Sequence, residues 1–108
     1  MARKINSLIR QRISPYLEAL KRDIPVTAAY VFGSQVRGDA TAESDIDIAI
    51  ISSAFGKDRL QDGFYLQGKL WEVPYKNMDV VGYSPEYFAS EDSPIIHEIK
   101  KHGVLVAH

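Results

Sequence analysis

An α/β sandwich, with helices layered on a small sheet, is the fold class that three features of the sequence predict. Short apolar runs rich in β-branched residues (26–32, 44–51 and 77–83) alternate with longer segments whose apolar residues recur at helical spacing. The chain has 108 residues, 45% of them hydrophobic and 25% charged, which suffices for one core and not for two. No repeat, low-complexity tract or long linker interrupts the pattern, so residues 1–108 read as a single domain.

The first segment places Ile5, Leu8, Ile9 and Ile13 on one helical face, with Arg3, Lys4, Arg10 and Arg12 largely opposite. Pro15 lacks an amide hydrogen and crowds the preceding turn, so two short helices or one kinked helix both fit; Ser14 suits a cap, and Leu17 and Leu20 continue the apolar face. Pro25 closes the segment. Residues 26–32 (VTAAYVF) predict a buried strand, and the isoleucine-rich residues 44–51 (SDIDIAII) a second one after a polar loop. Leu60, Phe64, Leu70 and Trp71 keep helical spacing despite Gly63 and Gly68, and Pro74 marks the break. Residues 77–83 (NMDVVGY) supply a third strand. Helices start again at Ser84-Pro85-Glu86 and at Ser93-Pro94. In the last helix Ile95, Ile96 and Ile99 form the expected buried face, Lys100, Lys101 and His102 suit the negative end of the dipole, and Gly103 ends it. Residues 104–107 (VLVA) can add a short final strand.

The charge balance narrows the function. Thirteen basic against fourteen acidic residues give a formal net charge of -1, which argues against wholesale binding to nucleic acid or membrane. Cysteine is absent, which excludes disulfides and thiolate metal sites and fits a reducing cytoplasm. The start, MARKINSLIRQRIS, lacks the continuous apolar run of a signal peptide or membrane span, so a cytoplasmic location is expected.

Asp45 and Asp47 interrupt the second apolar strand. Side chains alternate across a strand, so these two share one face, while Ile46, Ile48 and Ile50 share the other against the helices. Same-face neighbours lie roughly 6.5 Å apart, close enough for both carboxylates to converge on one divalent cation. Without a cation they repel; hard oxygen donors without a histidine or cysteine cluster favour Mg²⁺ or Mn²⁺ over zinc. A solubilising sheet edge explains the pair equally well when it is taken alone. Asp79, centred in the third strand, shifts the balance. If that strand lies beside residues 45–50, the three acids can hold two cations about 4 Å apart, a spacing that activates a hydroxyl and neutralises a phosphate.

The stretch before the pair, FGSQVRG, leads from a strand into a turn and a short helix opening at Ser34. Gly33 permits a tight turn and close ligand approach; the first amides and the Ser34 hydroxyl form an anion site, with Arg37 a turn further on. A Gly-Ser turn by itself is common. Followed within a few residues by alternating aspartates, it juxtaposes a triphosphate cradle and a metal site, as nucleotidyl transfer requires.

Gly33-Ser34, Arg37-Gly38 and Ser44-Asp45-Ile46-Asp47 resemble the GSxxRG…SDxD signature of the nucleotidyltransferase superfamily that includes DNA polymerase β. The short length and the C-terminal SPIIHEIKKHGVLVA are similar to the minimal nucleotidyltransferases, the MNT proteins, over nearly the whole chain. The resemblance implies an antiparallel-containing mixed sheet backed by helices, two Mg²⁺ ions and ATP as donor. It implies that Gly33, Ser34, Arg37 and Ser44 meet the nucleotide and that Asp45, Asp47 and Asp79 carry metal and catalysis, Asp79 helping to deprotonate the acceptor. It further implies transfer of AMP to a hydroxyl, with the acceptor on a separate chain: MNT proteins commonly accompany helical HEPN RNase toxins, whose tyrosine would be modified and silenced. The competing expectation is an antitoxin that neutralises a HEPN toxin by binding alone. Transfer to a small molecule such as an aminoglycoside is disfavoured, because no acceptor domain is visible.

The remaining residues have plainer explanations. His97, His102 and His108 are scattered and suit surface or cap roles. Tyr65, Trp71, Tyr75, Tyr83 and Tyr87 read as packing residues with a minority share of partner contact. Lys57 and Arg59 read as a solvated helix start rather than phosphate ligands.

Overall fold

The computed structural model describes residues 5, 7–38, 40, 44–90 and 93–108. In chain order these form helix α1 (Ser7–Asp23), strand β1 (Ala28–Phe32), the one-turn helix α2 (Ser34–Arg37), β2 (Ile46–Ile51), α3 (Arg59–Leu70), β3 (Met78–Tyr83), α4 (Pro85–Ser90), α5 (Pro94–His102) and β4 (Val104–Ala107). The sheet runs in the order β3-β2-β1-β4, with β2 and β3 parallel and the other two pairings antiparallel. This is the mixed α/β architecture the sequence predicts. The parallel β2–β3 pair follows from α3 between them, since a parallel return needs a crossover.

Each face of the sheet has its own cover. Ile46, Ile48 and Ile50 of β2, with Ala29 and Val31 of β1, pack against Ile13, Tyr16, Leu17 and Leu20 of α1 and Leu66 and Leu70 of α3. On the opposite face Ala49 and Ile51 meet Tyr83 and the α5 residues Ile96 and Ile99. Asp47 is the exception on that second face, a carboxylate at the end of an otherwise apolar row.

Two expectations of burial change, and two open points are resolved. Residues 7–23 form one helix through Pro15. Pro15 is exposed, so the Gln11 carbonyl that it deprives of a donor is left on the solvent side, and the Ser14 hydroxyl donates back to the Arg10 carbonyl at 2.7 Å instead of capping a second helix. Leu8, assigned to the buried face, is exposed. Ile95 is exposed too, because the cap at Ser93, which accepts the Ile95 amide, turns only Ile96 and Ile99 inward. In α3 the buried side chains are Leu66 and Leu70, whereas Leu60, Phe64 and Trp71 point outward. Periodicity showed the stripe but not the direction it faces.

The two helices on the first face are tied by Tyr16, whose fully buried hydroxyl donates to the Leu66 carbonyl at 2.8 Å. Tyr16→Phe is expected to cost about 1 kcal/mol of unfolding free energy in urea titration, with no effect on chemistry at the far side of the sheet. Beside this contact, Asp23 accepts from both Tyr65 and Lys69, closing the open end of the α1–α3 layer. Among the described residues no helix is long and apolar enough to cross a membrane.

Candidate active site

The site is built where β1, α2, β2, β3 and α5 meet. Register brings the acids together: in the parallel β2–β3 ladder the Cα partner of Asp47 is Asp79, and in the antiparallel β1–β2 ladder it is Phe32, the residue before Gly33. Asp47 and Asp79 are thus lateral neighbours on adjacent strands about 4.8 Å apart. Asp45 lies one residue before β2 and is exposed, so it approaches from the rim and not from a strand position.

This proximity sets the electrostatics. The Asp47 carboxyl is held above the ordinary aspartate range, first by burial, then by the charges of Asp79 and Asp45; Arg37 opposes this shift and Glu98 adds to it. Asp47 is therefore the member that suffers most from its neighbours. Among the described residues, no group of three or more His, Cys, Asp or Glu side chains is drawn together as a ready-made metal site. The carboxylates are instead mutually repelling groups in register. Their all-oxygen chemistry and the unfavourable charge on Asp47 fit a hard divalent cation, which would relieve both burdens.

Gly33 shapes the other wall. Its backbone sits at φ 75° and ψ −146°, a region open essentially only to glycine. A Cβ built there would lie 2.2 Å from Oδ2 of Asp47, so the turn and the acid are in direct contact across the site. The Gly33 carbonyl accepts the amides of Val36 and Arg37, and Gly38 closes the turn at φ 88° by donating to the Ser34 carbonyl. With only four residues, α2 carries a small dipole. Any anion contact at Ser34 thus depends on individual amides and the hydroxyl rather than on a helix dipole. Ser44 is half-buried, and its carbonyl accepts the Gln35 side-chain amide at 3.5 Å, which links α2 to the chain entering β2.

Arg37 pairs with Glu98 of α5, whose Oε2 lies 3.3 Å from Arg37 Nη1, and its charge also reaches Asp47. Glu98 is the site residue that sequence reasoning missed. It carries no local signal, being an ordinary glutamate on an amphipathic helix, and only the packing of Ile96 and Ile99 brings it to the site. Lys57 and Arg59 belong to the other end of the strands; the Arg59 guanidinium stands over the Tyr87 ring, 5.8 Å from its centroid.

With this geometry in place, residues 12–108 match the family described as Polymerase beta, nucleotidyltransferase. The chain belongs to the polymerase β-type nucleotidyltransferase family. Two solved structures share its fold. One, a toxin–antitoxin crystallised with AMP-PNP, is 24% identical, with a TM-score of 0.59 over 85% of this chain and 69% of that one. The other, from Sulfolobus solfataricus and assigned as a nucleotidyltransferase, is 22% identical, with a TM-score of 0.60 over 94% of this chain and 87% of that one. No curated protein matches the sequence.

Proposed function

We propose that this nucleotidyltransferase is a single-domain enzyme that moves AMP from ATP to a hydroxyl on a partner protein, with Asp45, Asp47 and Asp79 as the metal-binding and catalytic acids. The observation that carries the reading is the register pair Asp47–Asp79 set against the Gly33 turn, two like charges beside a backbone shaped to admit a ligand. Gly33, Ser34 and Ser44 would line the donor phosphates. Arg37 would exchange its contact with Glu98 for a phosphate oxygen, since both are partly exposed and the pair is weak.

Bound at the three carboxylates, Mg²⁺ (or Mn²⁺) would supply charge neutralisation at the phosphate and lower the proton affinity of the attacking hydroxyl. In the transfer itself, the acceptor oxygen attacks the α-phosphorus in line and a new O–P bond forms. The bond to the bridging oxygen of the β-phosphate breaks, pyrophosphate leaves, and Asp79 takes the hydroxyl proton. Asp79 suits that role because it is the most outlying acid, exposed on the last strand of the sheet.

The partner is proposed as a HEPN-type toxin and the acceptor as one of its tyrosines, making the chain an MNT antitoxin. The resemblance of the GSxxRG…SDxD residues supports this, as does a fold shared with a toxin–antitoxin crystallised with an ATP analogue. Incubation with α-labelled ATP, Mg²⁺ and the product of the adjacent gene is expected to label that product and release pyrophosphate. Stoichiometric suppression of the partner without label transfer would instead establish neutralisation by binding alone.

A further inference from the structure

Two features that nucleotidyl transfer does not use lie on the same flank. The first is the outer edge of β3. The Asn77 and Tyr83 carbonyls accept the Ile46 and Ser52 amides, each at 3.0 Å, so the odd-numbered residues of this strand address β2. The backbone groups of Met78, Val80 and Gly82 therefore face away from the sheet. The Met78 amide is taken by the Lys76 carbonyl at 2.8 Å. Among the described residues the Met78 carbonyl and both groups of Val80 and Gly82 take no backbone partner along the edge, while the Met78 and Val80 side chains are buried in the core. Natural sheets blunt such edges with lysine, proline, bulges or short strands. The opposite edge obeys that rule: β4 has four residues and meets β1 through a register irregularity at Ala29/Tyr30. β3 has six residues, an unbroken register and no lysine or proline. A groove of about 280 Å³ opens beside its C-terminal end, between α3 and α4.

The second feature is the outer face of α3. Leu60, Phe64 and Trp71 are 66%, 63% and 77% exposed, and the exposed positions between them are glutamines and glycines (61, 63, 67, 68). This strip carries no charge; the charged residues Arg59, Asp62 and Lys69 lie off it. Gly63 lines a second pocket beside β3 with Val80 and Gly82, and Leu60 and Gln67 are its helical neighbours, so the strip begins next to that strand and runs outward. Cβ atoms at Gly63 and Gly68 would meet nothing within 4 Å, so the helix surface beside Phe64 is bare backbone open to close approach.

We propose that this flank is a homodimer surface: a second copy adds its β3 antiparallel to this one, and the two α3 helices pack side by side. Both features are self-complementary. A two-fold axis at Val80 sets the open groups of residues 78–82 against the same groups of the other copy. Leu66 of α3 lies over Gly82, its Cδ1 2.9 Å from where a Cβ would be, so the axis that joins the strands also brings the α3 midpoints together. Phe64 then packs on the bare backbone at Gly68 of the other copy. A net charge of -1 per chain opposes the association little. The three exposed apolar side chains offer on the order of 400 Å². The strand edge and the glutamine and glycine flank extend this toward the roughly 800 Å² per partner of a standard interface. The dimer should accordingly be reversible and concentration-dependent.

Sedimentation velocity and backbone hydrogen exchange, run on the purified chain from low to high micromolar, test this. The expected result is a rising dimer fraction, with exchange at the Val80 and Gly82 amides slowed about tenfold or more as the dimer fills. Phe64→Lys combined with Trp71→Lys should stay monomeric with unchanged circular dichroism, because both side chains lie outside the core. A monomer at every concentration overturns the proposal, as does a dimer undiminished in the double variant or one whose Val80 and Gly82 amides still exchange fast. Protection that arises only when the adjacent gene product is added also overturns it and assigns the edge to that partner.

Discussion

Asp47→Asn should abolish AMP transfer while making the protein more stable. Loss of one metal-binding carboxylate removes several kcal/mol of transition-state charge stabilisation, a fall in rate on the order of 10³-fold or more in the labelled-ATP assay. Stability moves the other way. Burial and the charges of Asp79 and Asp45 raise the proton affinity of Asp47 in the folded protein above its unfolded value. The stability this group contributes is therefore fully present below the unfolded aspartate pKa of about 3.9 and lost as pH rises through the elevated folded value. At neutral pH the charged form is a net burden, and asparagine removes it. The difference in melting temperature between Asp47→Asn and wild type should open in favour of the variant as pH climbs from about 4 and close again in acid. Taking the difference cancels groups of opposite sign such as Asp23, whose carboxyl is held low by Lys69 and Tyr65. Mg²⁺ supplies a readout independent of turnover. At a hundred times its dissociation constant it should stabilise wild type by roughly 2.7 kcal/mol and leave the variant unmoved. Equal Mg²⁺ stabilisation of both proteins would remove Asp47 from the metal site.

That antagonism between stability and chemistry explains why part of this protein is readable from sequence and part is not. Asp45 and Asp47 stand out because aspartate is a poor strand former in an isoleucine-rich run, and such local misfits mark sites selected for chemistry. Asp79 stands out less; its relevance required β3 to lie next to β2, a question of pairing that the intervening helix answers. Glu98 was illegible because its place in the site depends on how α5 docks. The spacing of Leu60, Phe64 and Trp71 located a helix that α3 supplies, but spacing alone does not say which way a face points, and these three side chains point away from the core. At Pro15 the two open alternatives resolve into one helix, along which Tyr16, Leu17 and Leu20 are buried.

Gly33→Ala and Gly38→Ala together should separate backbone strain from a collision in the site. Both glycines have positive φ, 75° and 88°. At Gly38 alanine would adopt an ordinary left-handed conformation costing roughly 1–2 kcal/mol, and its methyl group would meet no atom within 4 Å. That variant should melt several degrees lower, at roughly 4–8 °C per kcal/mol, and retain most of its transfer activity when assayed below the transition. At Gly33 the backbone lies in territory open essentially only to glycine, costing about 1–3 kcal/mol, and the methyl group would fall 2.2 Å from Asp47 Oδ2. Either the turn or the carboxylate must move by the better part of an ångström. Because misplacement on that scale costs about 10²-fold in rate, Gly33→Ala should lose activity far beyond its loss of stability, and Mg²⁺ should no longer raise its melting temperature as it does for wild type. Equal activity in the two variants would mean that the approach of Gly33 to Asp47 is a packing feature of the turn. The predicted contrast would make the glycine the part that holds the acid at its working distance from the phosphates.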